Sequence, residues 1–246
     1  MDNALRLLRL VGERKVLRVA EAADSLGVAR STAHRLLTAL RQRGFVLQDK
    51  PNGAYRPGPA LHEIGLEAIG RIDIRRIARP VLEELATATR ETVSLVLLEN
   101  RFVRFIDFVE SPQAVRVGDR TGLVLPAHCT AGGKAILAGM PTLDLRRVYP
   151  DGRLETRTPS SITTWEALVA ELDEIRETGY ALNFEEGENG ISAVATAIPD
   201  LYGTPLAALA VVVPSLRLPD PEGARVFAPL LASARDRVTA LVHAEL

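Results

Sequence analysis

Apolar positions in the first 44 residues recur at i, i+3 and i+4, the period of an amphipathic helix. Ala4, Leu5, Leu7, Leu8 and Val11 form one face, and Val19, Ala20, Ala22, Ala23 and Leu26 form a second. Gly27 interrupts the pattern before Ala33, Leu36, Leu37 and Leu40 form a third, which Gly44 ends. Phe45-Val46-Leu47 is then strand-like, Pro51-Asn52-Gly53 has turn chemistry, and Ala54-Tyr55-Arg56 can return as the paired strand. Helix, helix, turn, helix, hairpin is the order of a winged helix-turn-helix, and Pro57-Gly58-Pro59 punctuates its end.

Beyond it, Leu61, Ile64, Gly65 and Ala68 make a single stripe suited to a linker helix. Ile77, Val81, Leu82 and Leu85 mark the inner face of a helix over 74–89. Strands take over at Thr92–Glu99 and Phe102–Glu110, a hairpin turned at Asn100-Arg101. "AVRVGDRTG" (114–122) offers another short strand, and "TAGGKAILAGM" (130–140) opens a helix. The pattern predicts a helix that follows Thr164 as its N-cap and stops at Gly179. Residues 191–200 and 205–214 read as a second hairpin, and Pro219 to Leu246 as a closing helix. Strands in hairpins and helices in blocks predict an α+β protein with a mostly antiparallel sheet. The expected boundaries are 1–58 for the winged module, 59–73 for the linker helix and 74–246 for the remainder.

Charge changes the picture. The chain has 246 residues and a net charge of −1, but the first 60 residues hold eleven basic and five acidic side chains. A +6 module therefore precedes a −7 body, which points to a polyanion partner for the first part alone. The longest apolar run, Leu206 to Val213, is far short of the ~18 residues of a membrane span. A single cysteine, Cys129, excludes an intrachain disulfide and fits a reducing compartment, and the N-terminus carries no signal-peptide pattern. The expected location is the cytoplasm.

The third helix divides into two faces. With Ala33 at the centre of the inner face, Ser31, Arg35, Thr38 and Gln42 point outward, flanked by Thr32 and His34. These side-chain types read base edges, with Arg forking onto guanine and Ser or Thr donating to bases or phosphate. A face serving solubility alone would carry Glu and Lys pairs, yet no acid occurs from Ser25 to Gln48. Arg30, Lys50 and Arg56 suit phosphates, and Tyr55 could stack or hydrogen-bond at the DNA backbone. The bland alternative is a small helical subdomain used for oligomerisation.

"VARSTAHRLLTALRQRGFV", "LPAHCTAGGKAILA" and "GYALNFEEGENGISAVATAIPD", in that order and spacing, resemble the IclR-type family of bacterial transcriptional regulators over essentially the full length. The resemblance implies a winged helix-turn-helix, a linker helix and a GAF-like effector-binding domain. It implies operator DNA as partner, a homodimer or dimer of dimers, and a small organic effector that alters DNA binding. It places Val117, Leu125 and Ile191 as apolar pocket walls, with Ala131 and Gly132 at the helix start and Asn183 where some members have an acid. Ala193 stands where Cys is common, and Ala210 and Val212 where some acid-sensing members have Ser. A pocket with Ala, Ala and Val at these positions is more apolar than one built for a very small keto acid. The expected effector has an aromatic or aliphatic body and one anionic end, received by the backbone N–H groups of the "TAGGK" helix start.

Other readings of these motifs fail. His128 stands where a phosphate-binding loop needs its first Gly, and Ala135 follows Lys134. His128 and Cys129, adjacent on an extended segment, would point opposite ways, with no carboxylate nearby to orient them. The four histidines have no metal-ligand spacing. The acids of "NFEEGENG" read as a solvated loop rather than a cation site. No catalytic residue, cofactor or metal is expected. The rival function is a ligand-independent DNA-binding protein whose C-terminal domain only oligomerises.

Overall fold

Three helices and a two-stranded hairpin build the N-terminal unit of the computed structural model, which describes residues 2–14, 16–48, 50, 53–61 and 74–245. They are α1 (Asp2–Arg14), α2 (Val19–Leu26), α3 (Arg30–Gln42), β1 (Val46–Gln48) and β2 (Tyr55–Pro57). Leu7 and Val11 of α1, Ala22, Ala23 and Leu26 of α2, and Ala33, Leu37 and Leu40 of α3 meet in one buried cluster. Leu5, expected on the inner face of α1, is 60% exposed, because its direction falls outside the arc that α2 and α3 cover. Gly27 ends α2 in the left-handed conformation (φ 67°), which an L side chain adopts at a cost. β1 and β2 pair antiparallel with Leu47 opposite Arg56, and Leu17 bridges to Tyr55. Of the turn expected at Pro51-Asn52-Gly53 only Gly53 is described, and the linker stripe at Ile64, Gly65 and Ala68 lies outside the described residues.

Residues 74–246 form the second compact unit. α4 (Ile74–Thr89) leads into β3 (Thr92–Glu99), β4 (Phe102–Val109) and β5 (Val124–Pro126). A 3-10 turn over Ala127–Cys129 precedes α5 (Ala131–Gly139), α6 (Thr142–Val148) and α7 (Trp165–Thr178). β6 (Ala181–Phe184), β7 (Ile191–Pro199), β8 (Pro205–Pro214), a further 3-10 turn (Ser215–Arg217), α8 (Pro221–Ala224) and α9 (Ala228–Glu245) complete the order. One antiparallel sheet runs β5-β4-β3-β8-β7-β6, and its central seam pairs β3 with β8. The fold is α+β.

Period-2 alternation divides the sheet's residues between two helical layers. Ala208, Ala210 and Val212 of β8 and Ala193 and Ala195 of β7 join a core with α5 and α7. The opposite face meets α4 and α9, which also pack on each other. Thr164 caps α7 through its hydroxyl, and Gly179 ends that helix at φ 80°. Two expectations need correction. Residues 114–122 form no strand, and the short edge strand lies later, at β5. The closing helix is two, α8 and α9, separated by a turn at Arg225–Phe227. Among the described residues, no helix is long and apolar enough to cross a membrane.

Candidate functional site

The outer face of α3 is the first site. Ser31, Thr32, His34, Arg35 and Gln42 are exposed, and Thr38 is half-buried. α3 starts at Ala29 without a side-chain cap and has no acid in its first turn. Its first intrahelical acceptor, the Ala29 carbonyl, takes bonds from Thr32 and Ala33 at 2.9 and 3.1 Å. The N–H groups of Arg30 and Ser31 thus precede the helix's own bonding, beside the Arg30 side chain. Such a terminus favours anions.

Lys50 is exposed and Arg56 half-buried, so both reach the surface of the hairpin. Tyr55 does not, and its expected place at a DNA backbone is corrected. It is 1% exposed because the Leu17 bridge and the pairing with Gln48 turn its ring into the core. Arg41 also differs from a loose charge at the helix end. It donates to Gln48 at 2.8 Å, and Gln48 donates to the Gly53 carbonyl at 3.0 Å, tying α3 to the hairpin.

The second site is a cavity of about 40 Å³ between the sheet and the start of α5. Eight of the nine residues that the family resemblance assigns to an effector pocket line it: Leu125, Ala131, Gly132, Asn183, Ile191, Ala193, Ala210 and Val212. Val117 is the exception. It is buried in the same core, and its carbonyl accepts from Thr92 Oγ1 at 2.7 Å, but it does not line the cavity. Val96 and Phe105 add apolar wall.

Small residues create the space. Thr130 caps α5 by accepting from Gly133 N, and the first intrahelical bond runs from Lys134 N to the Thr130 carbonyl. This leaves the N–H groups of Ala131 and Gly132, at the cavity, ahead of the helix's own bonding. A Cβ on Gly133 would lie 2.2 Å from the Ala127 carbonyl oxygen, so only glycine lets the helix start there. Asn183 is buried and its Nδ2 donates to the Cys129 carbonyl at 2.7 Å.

The cavity's charges were missed from sequence. Arg120 lines it, pairs through Nη2 with Glu188 Oε2, and stands 5.8 Å from the centre of the Phe105 ring. Its position inside an expected strand, and a partner 68 residues away, left no local signal. The loop acids are likewise not a solvated cluster. Glu186 is buried and accepts from Lys134 at 2.7 Å, and Lys134, itself buried, also donates to Glu171 at 2.6 Å. Burial, only partly offset by Lys134, raises the Glu186 carboxyl above the usual carboxylate range.

His128 and Cys129 lie on the 3-10 turn rather than on an extended segment, so they do not diverge as expected. His128 Nε2 donates to the Glu155 carbonyl at 2.9 Å, and Cys129 Sγ reaches the same oxygen at 3.6 Å. Burial pushes the Cys129 thiol up to about 11, which keeps it protonated and unreactive at neutral pH. A second, wider concavity of about 310 Å³ is lined by Arg101, His128, Tyr149, Asp151, Arg153 and Glu155 among others. Among the described residues, no group of three or more His, Cys, Asp and Glu could hold a metal ion.

A winged helix-turn-helix in the same chain as a cavity-bearing α+β domain is the plan of a DNA-binding transcriptional regulator. Family models agree. The IclR helix-turn-helix domain matches residues 1–50, and the bacterial transcriptional regulator IclR C-terminal domain matches residues 66–238. The chain is 34% identical over 223 residues to the HTH-type transcriptional regulator XynR of Escherichia coli (strain K12), covering 90% of this chain and 88% of that one. The crystal structure of Thermotoga maritima IclR matches with a TM-score of 0.66 and 30% identity, covering 98% and 97% of the two chains. An IclR homolog from Microbacterium hydrocarbonoxydans, crystallised with 4-hydroxybenzoate, shares the fold at a TM-score of 0.62 and 24% identity, covering 98% of each chain. The protein belongs to the IclR family of bacterial transcriptional regulators, and it is a DNA-binding regulator, not an enzyme.

Proposed function

We propose that the chain is an effector-responsive regulator whose operator affinity changes when a small organic acid enters the cavity. The observation that carries this reading is the composition of that cavity. Its walls are Val, Phe, Leu, Ile and Ala side chains, with a guanidinium and a helix start at its edge. An apolar space with a few placed donors suits a ligand with an aromatic or aliphatic body and one anionic end. The Microbacterium homolog, of the same fold, was crystallised with such an acid.

Residues 1–58 act as the DNA-binding domain, 59–73 as the linker and 74–246 as the effector-binding domain. In the DNA domain, Arg35 enters the major groove and reads a base, with Ser31, Thr32, His34 and Thr38 beside it. Arg30, Lys50 and Arg56 hold phosphates. Two copies in a homodimer, or four in a dimer of dimers, meet a near-palindromic site in the cytoplasm. For the effector to regulate, it must bind the DNA-bound and DNA-free states with different affinity.

A thermal-shift screen of carboxylic acids on the full chain tests the reading, followed by operator titration with each hit. Benzoate-like or medium aliphatic acids are expected to stabilise the protein more than glyoxylate or pyruvate. The reverse order overturns the effector class. Hits that leave operator affinity unchanged favour the ligand-independent reading instead.

A further inference from the structure

We infer that Arg120 is the anion-binding residue of the cavity and that Glu188 is its built-in competitor, displaced when a carboxylate enters. The inference rests on the effector reading above and adds to it the group that recognises the ligand's charge.

Three observations converge. First, the Arg120 side chain is only 12% exposed, and its Nε is buried without a hydrogen-bond partner. A buried donor without a partner is costly. Second, Glu188 engages the guanidinium through Nη2. The Nε–Nη2 edge can hold a carboxylate with two parallel bonds, the stronger arrangement. The present pair is therefore one-pronged where a two-pronged one fits, and a ligand carboxylate on that edge would satisfy the orphaned Nε. Third, the other polar side chains at the cavity already donate within the protein, which leaves only the backbone N–H groups of Ala131 and Gly132 beside Arg120. Asn183 Nδ2 donates to Cys129, and Thr130 Oγ1 accepts from Gly133 N while donating to Ala127.

The same geometry explains how a ligand could be admitted. About 40 Å³ has room for a few waters and not for an organic acid. The loop backbone before Glu188 is pinned. Thr158 Oγ1 donates to the Glu185 carbonyl and Ser161 Oγ to the Glu186 carbonyl, both at 2.7 Å, and Gly187 packs on the Cys129 carbonyl with no room for a Cβ. The Glu188 side chain, 35% exposed, is not so confined and can rotate into water. Its departure both frees the guanidinium and enlarges the cavity at that wall. Two carboxylates sharing one guanidinium would repel, so entry of the ligand and exit of Glu188 are coupled.

The test uses the full chain and a panel of benzoate, 4-hydroxybenzoate, phenylacetate and hexanoate, with methyl benzoate as the uncharged control, read by calorimetric titration. In the wild type at least one acid is expected to bind. Arg120→Gln should weaken that acid at least about tenfold while leaving methyl benzoate unchanged, and Arg120→Lys should fall between. Glu188→Gln should tighten the acid by several-fold. An acid affinity unchanged in Arg120→Gln overturns the inference and leaves the effector reading standing. No acid binding to either wild type or Glu188→Gln overturns both. Should Arg120→Gln fail to fold, Glu188→Gln decides alone, since unchanged or weaker acid binding there also overturns the assignment.

Discussion

Asn183 on β6 donates its side-chain amide to the main-chain carbonyl of Cys129, 54 residues earlier, across 2.7 Å. The bond ties an edge strand to the turn that launches α5, so in this chain Asn183 is first a strut. Asn183→Asp would set a carboxylate oxygen against that carbonyl in a buried site. The expected loss is about 2–3 kcal/mol, seen as a lower urea midpoint at unchanged slope. An unchanged midpoint would show that the bond carries no stability.

Arg35 and Lys50 should separate by the kind of DNA contact they make. Arg35→Ala is expected to cost ~1–3 kcal/mol and to relax discrimination at one base pair. Lys50→Ala should weaken all sequences alike and lower the salt slope by about one. Binding isotherms on operator and scrambled DNA at several salt concentrations measure both, and equal behaviour of the two variants would contradict this division.

The two glycines at the start of α5 should respond differently. A Cβ at residue 133 meets backbone at 2.2 Å, whereas at residue 132 it meets the Val96 Cγ2 methyl at 2.7 Å. Gly133→Ala is expected to destabilise the second unit by about 1–3 kcal/mol or more. Gly132→Ala should cost less stability but narrow the cavity, abolishing benzoate-induced shifts in melting temperature.

Acidification should destabilise the second unit through His128. Burial holds its imidazole below the ordinary 6.5, with the Glu155 carbonyl opposing this only in part. Nε2 donates to that carbonyl, so Nδ1 accepts from the Tyr149 hydroxyl at 3.3 Å, an arrangement that protonation of Nδ1 would undo. The unfolded chain takes up this proton more readily than the fold does. The contribution is therefore complete above about pH 6.5 and is lost as pH falls below it. Glu186, raised by burial, acts in the opposite direction nearer the carboxylate range. Melting temperatures from pH 7.5 to 5.5 should drop less in His128→Gln than in the wild type.

Long periodic segments were legible and short or long-range features were not. The bounds of α4, the Thr164 and Gly179 caps and both main hairpins follow from local pattern, because each is a long run bounded by cap or turn residues close in sequence. β5 and β6 are edge strands of three and four residues, too short for alternation to stand out. Residues 114–122 alternate but find no strand to pair with, and Val115 is 67% exposed. The polar tip of Tyr55 suggested the surface, whereas its register in the hairpin sends the ring inward. Most of the cavity wall was read through family resemblance. Its charges were not, since Lys134 meets Glu186 and Arg120 meets Glu188 across 52 and 68 residues. Burial turns such distant pairs into partners, and no local window contains both.

The β3–β8 seam carries a kinetic consequence. It sets Thr92 opposite Val212, more than a hundred residues apart, so the longest loop of any strand pairing described must close before the sheet is whole. Val96 stands on one side of that seam, and Ala193, Ala210 and Val212 on the other, so neither hairpin alone encloses the cavity. Any molecule held there would bind only chains in which the seam has closed, and would raise their share of the population by mass action. Abundance of the regulator in a cell would then rise with any compound that the cavity holds.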